Sequence, residues 1–330
     1  MVLVLVTAFL SDFSKLKEVF RHLEMGPLLF ALLSTGAAYL TSALSFKALF
    51  NMTPYRVPFP KFFSIMFISD TVNIIISSAG MSSIANRALL LKQEKVPYSV
   101  TIPLSLAQNM IFNLVLSFVC LGALLYLHGH PEFTGGPKQT ALLFFMAGLL
   151  LVVVGMMIFF FNRAFRRWFL SQMIRAVSWI NHKIFRKKTG QQRLVEIRDK
   201  VESTVAFLHH GRVRLLVVFF WVFMNWCFMP LAFYFCFHAV GVNLPLGLLV
   251  VGFAVMFLSS NINPVPGGLG VSESLVAFTF KNLGVGFEKT LVAALLFRLA
   301  FYLIPLAISA ALYLDTMLSF LKAQPDEKPS

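Results

Sequence analysis

Polar and helix-breaking residues are concentrated between Asn261 and Glu273, inside a stretch that is otherwise apolar. Two prolines and three glycines interrupt the chain there, and a helix is predicted to start near Ser272. The free N–H groups and the positive dipole end of such a helix start bind phosphate or carboxylate groups. An acid in the first turn also stabilises a helix start, so a tight turn with a capping acid is the structural alternative.

Arg298 lies inside the last apolar stretch of the chain, where a charged side chain must face protein or water. Its predicted partners are Glu273 or a lipid phosphate, because a guanidinium can hold either group through paired hydrogen bonds. A fixed ion pair that holds this segment in place is the alternative, and both roles are compatible if the pair opens. The candidate substrate-binding residues of this region are Asn261, Asn263, Gly267, Gly268, Gly270, Ser272, Glu273, Arg298 and Tyr302.

A second polar group lies in the first half of the chain. The segment from Asn73 to Arg87 is rich in hydroxyl groups rather than glycines, and Asp70 precedes it. Two amides follow in the next apolar stretch, where they could line a polar pocket or form hydrogen bonds between helices. The candidate binding residues here are Asn73, Ser77, Ser78, Ser82, Arg87, Gln108 and Asn109.

An internal repeat with an offset of 190 residues relates the two polar groups. Residues 66–82 and 256–272 share six identities in 17 positions, at Met66/Met256, Phe67/Phe257, Ser69/Ser259, Asn73/Asn263, Gly80/Gly270 and Ser82/Ser272. At the same offset Gln108 corresponds to Arg298. Internal symmetry between apolar segments that glycine or proline interrupts is typical of a transporter site located between repeats.

The composition indicates a polytopic membrane protein. Of the 330 residues, 58% are hydrophobic and 13% are charged, whereas a soluble domain has roughly 45–50% apolar and 25% charged residues. Apolar runs long enough for the roughly 20-residue helix that spans a bilayer occur near residues 26–50, 99–127, 139–162, 213–240 and 288–314. Two more apolar stretches, 62–92 and 246–283, are broken in the middle.

The three cysteines, Cys120, Cys227 and Cys236, all lie within apolar helices and lack the spacing of metal ligands. They are predicted to be core residues. No metal site and no other cofactor is therefore expected.

Most of the formal net charge of +14 lies between residues 163 and 214, which carry thirteen Lys or Arg against three Asp or Glu. The positive-inside rule predicts that this segment is cytoplasmic. Apolar residues recur at helical spacing among the basic ones, which predicts amphipathic helices lying in the interface against anionic lipids. The basic charge is thus assigned to membrane orientation and lipid contact, and no nucleic-acid partner is predicted.

Charge placement also predicts the path of the chain through the membrane. With the basic insert 163–212 inside, both flanks of 62–92 are inside and both ends of 246–283 are outside. Each half then has three spanning helices and one re-entrant hairpin, and this odd number of crossings puts the halves in opposite orientation. Non-helical backbone is tolerated at membrane depth only where it is buried in protein or lines a watery cavity, so the two hairpin tips are predicted to meet near the midplane.

The predicted fold is an all-α inverted repeat of three-helix units, each with a broken-helix hairpin, and with basic interfacial helices between the halves. The first repeat comprises residues 1–127 and begins with a truncated helix. The second repeat comprises residues 128–320, and residues 321–330 form a polar tail.

The string Pro264-Val-Pro266-Gly267-Gly268-Leu-Gly270-Val-Ser-Glu273, followed by the helix with Arg298, Tyr302 and Pro305, resembles the flippase-like membrane family, also called the lysylphosphatidylglycerol synthase transmembrane region. The resemblance covers about residues 10–320. It implies a polytopic protein of a bacterial-type inner membrane that moves or exports lipids.

The first half departs from this family. Ser83-Ile84-Ala85-Asn86-Arg87 keeps only the arginine of the family's Gly-Glu-x-x-Arg string, and Gln108-Asn109 stand where a charged pair is common. The synthases also carry a soluble aminoacyl transferase domain after the membrane region. Because this chain ends at Ser330, soon after its last apolar helix, we expect it to be a different protein from the synthase.

The residues and the resemblance together favour a lipid translocase. In this reading an anionic or polyprenyl-linked headgroup passes between the hairpin tips while the acyl chains stay in the bilayer. A membrane-embedded lipid enzyme with Glu273 as a base is the first alternative, although no histidine or second carboxylate lies at a predictable distance. A scaffold that supplies lipid to a synthase partner is the second, and it would depend on the basic helices.

Overall fold

The described part of the chain is built from helices. The structure is a computed structural model, and it describes residues 19, 21–75, 80–130, 212–262, 270–282 and 284–322 together with a few positions between 151 and 172. The helices are α1 (Met25–Phe50), α2 (Phe59–Ile75), α3 (Met81–Gln93), α4 (Tyr98–His128), α5 (Arg212–Ala239), α6 (Leu246–Ile262), α7 (Val271–Asn282), α8 (Phe287–Arg298), a π-helical segment (Leu299–Leu303) and α9 (Ile304–Lys322).

Among the described residues, four helical stretches are long and apolar enough to cross a membrane. They are Met25–Phe50, Tyr98–His128, Arg214–Ala239 and Phe287–Leu314. These spans confirm the all-α membrane class and four of the five predicted crossings, while the predicted crossing at 139–162 falls almost entirely outside the described residues. The predicted basic insert 163–212 and the tail 321–330 also lie largely outside them.

The two broken apolar stretches form pairs of short helices. In the first pair α2 has 17 residues and α3 has 13, and in the second pair α6 has 17 and α7 has 12. Each helix is shorter than the roughly 20 residues needed to span a bilayer. The second helix of each pair starts inside the stretch that the sequence indicated as broken, at Met81 and at Val271. The entry and exit of each pair on one face of the membrane stay a prediction.

The helices of the two halves correspond at the offset of 190 residues. Helix α3 starts at Met81 and α7 at Val271, and each is preceded by a glycine with a left-handed backbone, Gly80 with φ of 90° and Gly270 with φ of 80°. The packing partners also correspond, since α4 contacts α6 as α9 contacts α2, and α3 contacts α4 as α7 contacts α8. Helices α1 and α5, which are equivalent in the repeat, pack along each other. The opposite orientation of the halves stays a prediction from charge.

An aromatic core holds α5, α6 and α8 together. Phe297 contacts Phe233 with ring centroids 5.3 Å apart and Phe253 with centroids 6.2 Å apart, both edge to face. All three side chains are fully buried. Edge-to-face contact is the favoured geometry for aromatic pairs, and close packing of this kind drives helix association where lipid surrounds the protein.

Two of the three cysteines contribute to the packed interior. Cys120 and Cys236 are buried, whereas Cys227 is exposed on α5. The prediction that all three are core residues is therefore wrong for Cys227. The sequence could not separate them, because α5 is apolar on every side and its pattern does not tell which face is buried.

The last span is irregular in its middle, at the π-helical segment. Pro305 follows this segment and has no N–H to give to the carbonyl of Phe301 four residues earlier. The Tyr39 hydroxyl of α1 donates a hydrogen bond to that carbonyl at 3.2 Å. A side chain of the first helix thus satisfies a backbone group that the proline leaves open in the last span.

Candidate functional site: a polar cavity between the halves

A cavity of about 360 Å³ lies where the helices of the first half meet α5, α6 and the π-helical segment. Most of its polar side chains come from α2, α3 and α4, and most of its aromatic side chains come from the second half. The lining residues are Ala38, Tyr39, Ser42, Asp70, Asn73, Gly80, Ser83, Ile84, Arg87, Ser105, Gln108, Asn109, Phe112, Asn113, Leu116, Asn225, Trp226, Met229, Phe257, Leu258, Phe301 and Tyr302.

The cavity is central with respect to the spanning helices. Ala38, Asn113, Trp226 and Phe301 line it, and each lies within one residue of the middle of its span. A polar group at this depth is costly unless it meets other polar groups or water. The position and the lining together are those expected of a binding site rather than of a packing defect, which would be apolar.

One wall of the cavity is an ion pair between a buried arginine and a partly buried aspartate, with several hydrogen bonds. Arg87 Nη2 of α3 lies 2.5 Å from Asp70 Oδ1 of α2. The same carboxylate accepts hydrogen bonds from Ser42 Oγ at 2.8 Å and from Ser83 Oγ at 3.1 Å. Arg87 Nη1 donates to Gln108 Oε1 at 2.5 Å. The pair therefore joins the two helices of the first hairpin and ties them to α1 and α4.

The predicted amides of α4 have two roles. Gln108 is buried and bonds between helices, because its Nε2 donates to Ser45 Oγ of α1 at 2.6 Å and to the Ser42 carbonyl at 3.0 Å. Asn109 lines the cavity beside the first tip, where a Cβ on Gly80 would come within 2.9 Å of its amide. The sequence left both roles open for these amides, and in the structure Gln108 has both of them, because it also lines the cavity.

The second ion pair lies in the other half, between Glu273 of α7 and Arg298 of α8. The two side chains are only 2% and 5% exposed. Arg298 Nη2 also donates to Ser272 Oγ, and the guanidinium lies over the Tyr302 ring at 5.2 Å. Of the two predicted partners, the carboxylate is the one observed. Tyr302 itself lines the cavity, so one aromatic ring separates this pair from the cavity.

Only part of the predicted site lines the cavity. Asn73, Arg87, Gln108, Asn109 and Tyr302 do so, whereas Gly270, Ser272, Glu273 and Arg298 are absent from its lining. Ser82 supports Asn73, to whose Oδ1 its hydroxyl donates at 2.9 Å. The remaining predicted positions are not described in full: Asn261 is described only as a helical residue, and Ser77, Ser78, Asn263, Gly267 and Gly268 lie outside the described residues.

Several polar residues that line the cavity were not among the candidates from the sequence, including Asp70, Ser105, Asn225 and Trp226. Asp70 was noted only as a flanking charge, although an acid inside an apolar stretch is itself a signal. Asn225 gave the same kind of signal, as a lone amide at the centre of α5. Its Nδ2 donates to the Ala38 carbonyl of α1 at 2.5 Å.

The fold and the cavity define a polytopic helical membrane protein with a polar site between two related helical units. The family profile described as "Lysylphosphatidylglycerol synthase TM region" matches residues 1–309, and the chain belongs to this family. The family resemblance seen in the sequence is thereby confirmed.

Two relatives show how far the similarity extends. A UPF0104 membrane protein of Methanothermobacter thermautotrophicus is 24% identical over 281 residues, which cover 82% of this chain and 78% of that protein. A "Phosphatidylglycerol lysyltransferase" of Staphylococcus aureus (strain MRSA252) is 34% identical over 89 residues, which cover 27% of this chain but only 11% of the lysyltransferase. The similarity to the lysyltransferase thus concerns a small part of that protein.

Proposed function

We propose that this protein moves a lipid headgroup between the two leaflets through the cavity, while the acyl chains stay in the bilayer. The observation that carries this proposal is a polar cavity at the middle of four apolar spans, between units that correspond helix by helix. The proposed membrane is a bacterial-type cytoplasmic membrane, with the basic segment 163–212 on the cytoplasmic side.

The size of the cavity supports a headgroup as the occupant. Ligand pockets typically have volumes of roughly 300–1,000 Å³, so a cavity of about 360 Å³ suits a small polar group. Acyl chains would remain outside, where the surface of α4 is apolar, as at Phe118 and Leu125.

In each of the two ion pairs, the arginine can exchange its carboxylate partner for a lipid headgroup. The sequence favours anionic or polyprenyl-linked lipids as the source of that headgroup. A headgroup oxygen would compete with Asp70 for Arg87, or with Glu273 for Arg298. The first pair joins α2 to α3, the two helices of the first hairpin, and the second pair joins α7 to α8. Opening one pair and then the other would free the two hairpins in turn, as alternating access between repeats requires.

The contacts of Glu273 favour transport over the enzymatic alternative. Its carboxylate is paired with Arg298 and accepts a hydrogen bond from Ser272 at 3.3 Å, so two donors already occupy it. A general base must instead be able to reach a substrate proton. A scaffold function for a synthase partner does not account for a polar cavity at mid-span.

Obstruction of the cavity tests the proposal. Leu116 lines the cavity from α4, whereas Leu125 of the same helix is exposed and faces away. In proteoliposomes with acyl-chain-labelled phosphatidylglycerol and glucosyl-diacylglycerol, we expect Leu116→Trp to abolish exchange between leaflets. Leu125→Trp adds the same ring outside the cavity, and it should transport like the wild type.

A folded Leu116→Trp protein with wild-type transport would contradict the proposal, because the added indole would then fill a space that lipids do not use. Gel filtration and thermal unfolding of both variants establish that they are folded. Absence of exchange for every lipid, also in the wild type, would equally count against transport through this chain alone.

A further inference from the structure

Four buried polar atoms that belong to residues lining the cavity have no hydrogen-bond partner among the described residues. They are Arg87 Nε, Ser105 Oγ, Asn225 Oδ1 and Trp226 Nε1. Their side chains belong to residues that are 6%, 0%, 3% and 4% exposed. Buried polar groups in native proteins are nearly always paired, so four unpaired ones around one cavity indicate that an occupant completes their hydrogen bonds.

The unpaired atoms include both donors and an acceptor. Arg87 and Trp226 offer N–H groups, Asn225 offers a carbonyl oxygen, and the Ser105 hydroxyl can serve either way. A phosphate oxygen only accepts and an ammonium group only donates. A hydroxyl group does both, so a group with several hydroxyls can satisfy the whole set.

The charges of the cavity lining already cancel. Asp70 and Arg87 are its charged side chains among the described residues, and they are paired with each other. Two serine hydroxyls further stabilise the carboxylate. A headgroup with a net charge would bring an uncompensated charge into a buried site, which is costly. An uncharged headgroup carries no such cost.

Aromatic rings form an apolar part of the cavity lining. Trp226 has ring-centroid distances of 5.0 Å to Phe257 and 6.0 Å to Phe112, and all three residues line the cavity. The negative face of an aromatic ring attracts the positive edges of C–H groups. A sugar ring combines a C–H face with a rim of hydroxyls, and so matches both the aromatic and the polar residues of the lining.

We infer that this cavity recognises an uncharged, hydroxyl-rich headgroup, with a sugar or another polyol as the chemical class. The inference rests on the proposed lipid transport for its biological setting, and it departs from the anionic headgroup expected from the sequence. A phosphate in the same lipid would lie outside the cavity.

Binding of short-chain lipids tests this inference. The purified full-length chain is held in a zwitterionic oxide detergent, which carries no sugar, and titrated with dihexanoyl versions of glucosyl-diacylglycerol, phosphatidylglycerol and phosphatidylcholine. We expect the glucosyl lipid to bind at least about tenfold more tightly than phosphatidylcholine. Phosphatidylglycerol, which has hydroxyls but also a charge, should bind between the two.

Two variants connect the binding to the unpaired atoms. Ser105→Ala and Trp226→Phe each remove one hydrogen-bonding group and keep most of the side-chain shape. Each should weaken binding of the glucosyl lipid by about 2- to 10-fold, which corresponds to one hydrogen bond. Trp221→Phe is the matched control, because Trp221 precedes this site on α5 without lining the cavity. Thermal unfolding should be unchanged in Ser105→Ala, since the hydroxyl it removes has no partner in the described protein.

Equal or tighter binding of phosphatidylglycerol or phosphatidylcholine would overturn the inference and leave the transport proposal intact. Undiminished glucosyl-lipid binding in both variants would mean that the lipid does not contact these groups, and would also overturn the inference. Failure of the transport proposal is recognised separately, by wild-type exchange in Leu116→Trp.

Discussion

At the scale of single residues, the two ion pairs make the effect of a single substitution on transport difficult to interpret. Removal of one partner from a buried pair costs about 3–5 kcal/mol, because the other charge is left without compensation. Replacement of both partners by apolar residues of similar volume is often close to neutral. Loss of transport in a single variant of Glu273 or Arg298 could therefore reflect loss of stability rather than loss of a headgroup contact.

A double-mutant comparison separates these effects. We expect Arg298→Met to lower the free energy of unfolding by about 3–5 kcal/mol, since it leaves Glu273, only 2% exposed, without its cation. Addition of Glu273→Leu should restore most of that loss. Denaturant unfolding of the purified proteins measures both values. If the double variant is no more stable than the single one, the two residues do not stabilise each other.

The same double variant then provides a clean test of function. Normal lipid exchange by a stable protein without either charge would assign the pair a purely structural role, which was the alternative considered for it from the sequence. Loss of exchange in this stable background would indicate that the pair acts in transport.

At the scale of secondary-structure elements, the contact between α1 and the last span depends on a broken backbone pattern. Pro305 leaves the Phe301 carbonyl without its usual N–H donor, and the Tyr39 hydroxyl donates to it at 3.2 Å. The Tyr39 and Phe301 rings also stack, with centroids 5.6 Å apart. Both residues line the cavity, so this contact also fixes part of its wall.

The loss of stability caused by a substitution at Tyr39 should depend on whether residue 305 is a proline. We expect Tyr39→Phe to keep the ring stacking but to destabilise the protein by about 1–3 kcal/mol, because a buried carbonyl loses its donor. Pro305→Ala restores a backbone N–H, so Tyr39→Phe should cost clearly less in that background. Thermal unfolding of the four proteins gives the comparison. Equal costs in the two backgrounds would show that the hydroxyl does not compensate for the proline.

The positions of the elements could be predicted from the sequence, whereas their mutual contacts could not. The apolar run 26–50 became Met25–Phe50 and the run 99–127 became Tyr98–His128, because long apolar runs between polar flanks define spanning helices directly. The pairing of Asp70 with Arg87 joins two helices, and the sequence offered several partners for each charge.

The cavity was the least predictable feature for a related reason. Asn225 lies on a helix that is apolar all round, so hydropathy does not reveal which side faces the interior. The π-helical segment was not predicted either, although Pro305 gave a local signal for it. Residues of seven elements form the cavity. Its shape therefore depends on tertiary packing, which cannot be read from any one segment of the sequence.

At the scale of the whole molecule, the two halves correspond in helix bounds and in packing partners. Their relative orientation determines whether the cavity can face each side of the membrane in turn. Two parallel units would present both hairpins to the same face, whereas two inverted units present one hairpin to each face. The charge pattern predicts the inverted arrangement, with the α2–α3 pair entering from the cytoplasm.

Sided labelling tests this orientation at two equivalent helix ends. Lys92 lies near the end of α3 and Lys281 near the end of α7, and both are exposed. In a background with the three native cysteines replaced, we expect Lys281→Cys to react with a membrane-impermeant maleimide in intact cells. Lys92→Cys should react only after permeabilisation. Labelling of both from the same side would rule out the inverted repeat, and would leave a cavity whose hairpins could open it to one leaflet only.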